Sequence, residues 1–315
     1  MPGTPDIQTV VIIYNPLSGR GKTGHVAQQA CARFEAFGWQ VQQVIPTAYA
    51  GHAEAVLAPQ WSDSVDLIVV VGGDGTLREV VTGLIRTGSR TCLGFIPMGN
   101  ANVMAREFNI PLNPEHAIKA VLEGTAVSPD VGKFESGRQD SHYFLAMIEV
   151  GQGAKIVHCV DQLRNGKLNR LYRFWGDIVY VIGALLSLLG RKPAPFTLTT
   201  DGANCRTNQY HAVISCIRTY SKGWSMTPEA VFDDGLLDRV SSESASVLSF
   251  GRHMIAASGC KPFASPYVCY GRGRTFAIAS ESTLFIQADG EAITQATVLT
   301  VETLTGAYRI LVPGR

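Results

Sequence analysis

Three apolar runs end on polar, glycine-containing loops: Thr9–Tyr14 (TVVIIY), Asp66–Val71 (DLIVVV) and Leu93–Ile96 (LGFI). This pattern constrains the fold more than any other feature. A strand with apolar side chains at successive positions has no face to give to water, so both faces must be covered. Helices are the covers this sequence supplies. Val26, Ala30, Phe34 and Phe37 recur at helical spacing within residues 24–37, and Gly38 ends that segment. Residues 41–45 read as a second strand and 52–58 as a short helix. A helix over 77–85 follows the third strand, and another over 102–108 stops before Pro111. Repeated strand–helix units predict a parallel α/β sheet.

After about Asp130 the pattern changes to short alternating runs at 143–148, 196–200, 211–216, 236–240, 275–279, 284–288, 297–304 and 308–312. Turn residues separate them, which predicts an antiparallel β-sandwich or barrel, interrupted by one helical stretch over about 161–190. At about 150 residues per domain, the 315 residues make two, divided as 1–130 and 131–315. The sequence leaves open whether the last run, Tyr308–Val312, returns to the first domain.

Hydrophobic residues make up 46% and charged residues 17%, enough to fill a core. A formal net charge of +1 excludes an overall polybasic nucleic-acid binder. The seven cysteines are scattered without C-x-x-C or zinc spacing, as expected of reduced thiols in a cytoplasmic protein. The most apolar window, residues 178–190, has 13 residues, too short for a bilayer span of about 20. Arg164, Lys167, Arg170 and Arg173 precede it at three-residue intervals. Basic charge beside an apolar helix suits either a solvated face or peripheral contact with an anionic membrane.

In open α/β sheets, ligands bind where strands end at their carboxyl side. Three loops fall there: Asn15 to Lys22, Gly72-Gly73-Asp74-Gly75-Thr76, and Gly99-Asn100-Ala101-Asn102. The first is not a Walker A loop, because Pro16 stands where glycine is needed. Nor is the second a dinucleotide fingerprint, because Arg78 replaces the last glycine. Glycines let backbone approach phosphate, and the next helix supplies amide donors. A carboxylate in such a loop would repel phosphate, so Asp74 is expected to recruit Mg²⁺ or a metal-bound water.

VVVGGDGTLREVVTGL resembles the signature of the diacylglycerol kinase catalytic superfamily, which also holds sphingosine, ceramide and NAD kinases. IIYNPLSGRGK, FIPMGNANVMAREFNIP, PEAVFDDGLLD and IQADGE are similar to blocks of its bacterial soluble lipid kinase branch, and they occur in family order from residue 12 to 291. The resemblance implies a Rossmann-like α/β domain with a parallel sheet, an all-β sandwich or barrel domain, and an interdomain cleft. It implies ATP and Mg²⁺ as cofactors. Asp74, Gly72, Gly73, Gly75 and Thr76 match the ATP phosphate loop, with Asn15, Thr47, Glu79, Gly99, Asn100 and Asn102 completing the nucleotide set. Asp234, with the carbonyls of Val231 and Leu236, matches a metal position, and Asp130 an acidic residue of an interdomain Mg²⁺–water network. Glu291, in Asp289-Gly290-Glu291, matches the catalytic base, with Asp74 beside it in the catalytic set.

Two departures stand out. Val103 replaces the family's usual Asp after G-T-x-N, and Gly151-Gln152-Gly153-Ala154 lacks the acid of the family's G-x-G-x-D-A. The expectation is an ATP- and Mg²⁺-dependent lipid kinase acting on a hydroxyl of a diacylglycerol, a sphingoid base or a related lipid at a membrane surface. No nucleic-acid partner is expected, and a homodimer is left open. An NAD kinase-like enzyme, or a nucleotide- or lipid-binding module without turnover, remain as alternatives.

Overall fold

The computed structural model describes residues 7–57, 65–137, 141–165, 193–221 and 223–314. The chain divides into two compact units, one of Met1–Asp130, Ser221–Gly223 and Thr305–Arg315, the other of Val131–Tyr220 and Trp224–Leu304.

The first unit runs β1 (Thr9–Tyr14), α1 (Thr23–Phe37), β2 (Gln40–Pro46), α2 (His52–Val56), β3 (Leu67–Gly72), α3 (Asp74–Thr87), β4 (Cys92–Pro97), α4 (Val103–Glu107), α5 (Pro114–Glu123) and β5 (Thr125–Val127). The strands β1 to β4 are parallel, and with β16 (Arg309–Val312) the full sheet order is β2-β1-β3-β4-β16-β5. Leu67 to Val71 of β3 are each 0% exposed. Side chains of that kind contribute about 1.5–3 kcal/mol each on burial, which is why the run sits at the sheet centre. Gly38 and Gly88 end α1 and α3 in the left-handed region, at φ 100° and 69°. Helix α5 went unpredicted, although its start is written in the sequence: the Asn113 side chain accepts the N–H groups of Glu115 and His116, with Pro114 at the first helical position. The last strand, β16 (Arg309–Val312), lies between β4, which it pairs in parallel, and β5, which it pairs antiparallel.

In the second unit the strands are β6 (Val131–Glu135), β7 (His142–Phe144), β8 (Met147–Gly151), β9 (Phe196–Thr200), β10 (Asn204–Gln209), β11 (His211–Ser215), β12 (Leu237–Ser242), β13 (Val268–Gly273), β14 (Thr275–Ala288) and β15 (Glu291–Leu304). Among the described residues two helices join them, α6 (Gln152–Asn165) and α7 (Val247–Ser258). The main antiparallel path is β13-β12-β11-β8-β14-β15-β6-β7. Strand β14 pairs β9 along Phe276–Ala279 and β8 along Ile286–Ala288, so one strand serves two partners on the same side. Among the described strands, β13 and β7 remain ends of the path, so it does not close into a barrel.

Sequence and structure differ in several places here, beginning with β6, β10 and β13, which lie outside the expected runs. The runs 275–279 and 284–288 are one strand with a register break at the polar Ser280–Thr283 stretch. The run 143–148 is broken at Leu145 and Ala146, whose amides leave the ladder for the carboxylate of Asp289. Helix α6 begins at Gln152, earlier than expected, and α7 was not anticipated. The apolar window 178–190 and Lys167, Arg170 and Arg173 lie outside the described residues. Among the described residues no helix is long and apolar enough to cross a membrane.

Candidate active site

The three glycine loops meet at the carboxyl edge of the first sheet. Asn15 ties β1 to β3: its N–H donates to the Val71 carbonyl (3.1 Å), and its Nδ2 reaches the Thr76 hydroxyl (3.4 Å). Its Oδ1 accepts the Leu17 amide at 2.9 Å, which folds the loop back on itself. The Met98 amide donates to the Gly72 carbonyl at 2.6 Å. A Cβ on Gly99 would lie 2.7 Å from the Gly73 Cα, so the second and third loops touch glycine to glycine. No side chain fits there, which leaves bare backbone of the kind that approaches phosphate. Asn102 holds the third loop from within: its Oδ1 accepts the Gly99 amide (2.8 Å) and its Nδ2 donates to the Gly99 carbonyl (3.0 Å).

Two acids of α3 act as clamps. The oxygens of Asp74 accept the amides of Val103 and Met104, each at 3.0 Å, at the start of α4. Burial pushes its carboxyl above the usual carboxylate range, opposed by those backbone donors. Glu79 does the same for α2, accepting the amides of Gly51 (2.8 Å) and Ala53 (3.2 Å). The Thr47 amide donates to the Tyr14 carbonyl at the end of β1 (2.8 Å). Gly75 is half-buried in the first turn of α3, while Asn100 is exposed. Asp130 is buried, and its Oδ1 accepts the Gly306 amide (2.9 Å) where the chain returns to the first unit.

In the second unit, Glu291 opens β15 directly after a two-residue turn. Asp289 (φ 49°) and Gly290 (φ 83°) both occupy the left-handed region, as a tight hairpin of this type requires, and Ala288 pairs with Glu291 across it. The turn is locked from both sides. The Asp289 carboxylate accepts the amides of Leu145, Ala146 and Met147 at 2.9, 2.9 and 3.1 Å. The Gly290 amide donates to Gln287 Oε1 at 2.8 Å. Glu291 itself is exposed.

Asp234 precedes β12. Its Oδ1 accepts the Leu236 amide (3.0 Å), and its Oδ2 lies 3.6 Å from the Arg272 guanidinium. The same guanidinium donates to both oxygens of Asp238 (3.1 and 3.2 Å) and to the Glu229 carbonyl (3.2 Å). A divalent cation held by Asp234 and the carbonyls of Val231 and Leu236 would share its carboxylate with a fixed positive charge. The donor set therefore does not fit a cation as it stands. Among the described residues no group of three or more His, Cys, Asp or Glu side chains is placed to hold a metal ion.

Sequence reasoning missed a buried polar cluster around Glu149, which is 0% exposed. Gln287 Nε2 (2.7 Å) and the Tyr220 hydroxyl (3.3 Å) donate to its Oε2. His211 Nδ1 lies 3.6 Å from Oε1, and among the described residues neither that oxygen nor either His211 ring nitrogen has a hydrogen-bond partner. Burial pushes the Glu149 carboxyl up to about 7 and drives the His211 imidazole down to about 3. The contact is thus a carboxyl facing a neutral ring, not an ion pair. A Cβ on Gly153 would overlap the Glu149 carboxylate, so the glycine makes room for the acid at the start of α6. The available signal was one acid inside the apolar run MIEV.

Residues 9–134 match the family model of the diacylglycerol kinase catalytic domain, and residues 154–312 match that of the YegS C-terminal NAD kinase beta sandwich-like domain. The chain belongs to the family that joins these two domains, and it is a lipid kinase by that membership. A protein named diacylglycerol kinase from Staphylococcus saprophyticus is 25% identical over 280 residues, covering 89% of this chain and 88% of the relative. One of the same name from Staphylococcus aureus is 26% identical, over 89% of this chain and 85% of the relative. A crystal structure described as a diacylglycerol kinase from Bacillus anthracis superposes with a TM-score of 0.73 at 21% identity, covering 98% of each chain. That similarity establishes the fold: a parallel α/β domain followed by an antiparallel all-β domain.

Proposed function

We propose that this protein transfers the γ-phosphoryl group of ATP to a hydroxyl of a diacylglycerol or a closely related lipid drawn from a membrane surface. The observation that carries the proposal is the glycine-to-glycine contact of the Gly72–Gly73 and Gly99 loops, a side-chain-free backbone cradle at the carboxyl edge of a parallel sheet. In this reading Asp74 and Glu79 are positioning residues: they fix the loops on either side of the cradle through backbone amides. Thr47, Thr76, Asn100 and Asn102 line or hold the nucleotide loops.

Glu291 is the base. The acceptor hydroxyl oxygen forms the new bond to the γ-phosphorus, the bond from that phosphorus to the β,γ-bridging oxygen breaks, ADP leaves, and the hydroxyl proton passes to the Glu291 carboxylate. A carboxylate that follows directly on an anchored turn suits this task, because the turn fixes where it is presented. A divalent ion arriving with ATP supplies charge neutralisation at the phosphates when bound. The names of the relatives favour diacylglycerol over a sphingoid base as the acceptor.

The test is transfer of labelled γ-phosphate to diacylglycerol, monoacylglycerol, sphingosine and ceramide in mixed micelles, with NAD as a soluble control. Label on a glycerolipid, lost in Glu291→Ala, supports the proposal. Label on NAD alone overturns it. ATP binding without label on any acceptor points to a binding module, a second reading that the replacement of the family's Asp by Val103 favours.

A further inference from the structure

A continuous chain of contacts within the second unit links buried Glu149 to the turn that presents Glu291. Gln287 is the link. It lies opposite Glu149 across the β14–β8 pairing, donates from Nε2 to Glu149 (2.7 Å), and accepts the Gly290 amide on Oε1 (2.8 Å). An amide side chain has one donor end and one acceptor end, so the acceptor at 149 decides which way round Gln287 sits. Were it flipped, its NH₂ would face the Gly290 N–H, donor against donor. The Glu149 end is costly to build. The acid is wholly buried, Gly153 leaves it space, and one oxygen has no partner among the described residues. Such an arrangement lowers stability, so its presence calls for a role that offsets the cost.

We propose that Glu149 is a positioning residue for Glu291, acting through Gln287 and the Gly290 amide. The proposal rests on Glu291 being the base, and it adds a regulator of that base which touches neither lipid nor nucleotide. The groups facing Glu149 are Gln287 from β14, His211 from β11, the Tyr220 hydroxyl and the Gly153 backbone of α6; His253 stands behind His211, with ring centroids 6.3 Å apart. Lys155, in the same first turn of α6, is the nearest buried cation along the chain. Gln287 bonds both Glu149 and the turn. On the other side Asp289 pins the turn to the amides of 145–147, so loss of the Gln287 contact frees one anchor and leaves the other.

The experiment compares Glu149→Leu, Gln287→Leu, the double variant and Glu149→Gln by steady-state kinetics and by hydrogen exchange at the Gly290 amide. Glu149→Leu and Gln287→Leu should each lower kcat by about 10- to 100-fold, the cost of a small misplacement of a reacting group. KM for ATP and lipid should be unchanged. The double variant should be no slower than the worse single one, because both break the same link. Glu149→Gln keeps an acceptor for Gln287 and should restore kcat to within about threefold of the parent, a rescue that lost packing would not show. Exchange at Gly290 should quicken in both leucine variants and stay slow in Glu149→Gln. Folded leucine variants with parental kcat, or with unchanged exchange at Gly290, overturn the proposal. Should Glu149→Leu fail to fold, Gln287→Leu carries the test. If the parent transfers no phosphate, the base assignment fails, and exchange at Gly290 alone then decides whether Glu149 holds the turn.

Discussion

The Asp74 carboxylate holds the Val103 amide at 3.0 Å, so the acid of the Gly-Gly-Asp-Gly loop is the cap of the helix that follows the next strand. Both of its oxygens are engaged in this way, the second by Met104. Its place in the loop is thereby explained without a metal. Negative charge at a helix start is favourable, and the two bonds fasten one glycine loop to the other.

Replacing Asp74 separates that role from charge. Asp74→Ala leaves two amides without their acceptor and should lower stability by about 2 kcal/mol. Asp74→Asn keeps one acceptor oxygen and should lose less. Urea unfolding of both variants, set beside ATP affinity, checks the order. Equal stability of the alanine variant and the parent would show that the cap contributes nothing.

Glu291→Ala should behave oppositely. The side chain is exposed after a turn fixed by Asp289 and Gly290, so the melting temperature should stay within a few degrees of the parent. Phosphate transfer should fall by about 10²–10⁴-fold, the usual worth of a general base. Activity retained in a folded variant would move the base elsewhere.

Arg272 stands where a cation would have to sit beside Asp234. The parent should therefore melt at the same temperature in Mg²⁺ and in EDTA when no nucleotide is present. Arg272→Met leaves Asp234 and Asp238 without their shared partner and should lower the melting temperature by about 2–4 °C, with part of that recovered on adding Mg²⁺. A parent stabilised by Mg²⁺ alone would show that the guanidinium yields its place.

Glu149 makes stability depend on pH. Its folded-state value is raised from 4.5 to about 7, so the folded protein holds a proton that the unfolded chain releases between those limits. Its contribution is present below about pH 4.5 and is lost as pH rises through about 7. His211 and His253, held down at about 3 and about 4, act in the opposite sense and penalise acid. Glu149→Gln removes only the first effect. Urea midpoints from pH 5 to 8 should show the variant gaining on the parent by up to about 3 kcal/mol as pH rises. Parallel curves would show that the carboxyl is not perturbed.

The strands and loops of the first unit were legible because TVVIIY, DLIVVV and LGFI allow one kind of burial, and loops at the carboxyl ends of parallel strands must converge. Helix α5 was legible too, in Asn113-Pro114, and was overlooked. Other features were not. The caps that Asp74 and Glu79 provide join residues 29 and 28 positions apart or nearby, and no local pattern announces such a pairing. Arg272 meets Asp238 only because β12 pairs with β13. Glu149 reads locally as a charge that interrupts a strand. Its burial is set by β11, β14 and α6 together, and the sequence brings those together only after folding.

Strand β16 sits between β4 and β5, yet it is built from residues 309–312, while its neighbours end by residue 127. A ribosome therefore delivers the sheet of the first unit in two instalments, separated by the second unit. Until the last strand emerges, β4 and β5 lack the partner that lies between them. The loops on this sheet reach their final support only once the second unit has been made, so a nascent chain holding all the glycine motifs of the first unit is still short of a finished cradle.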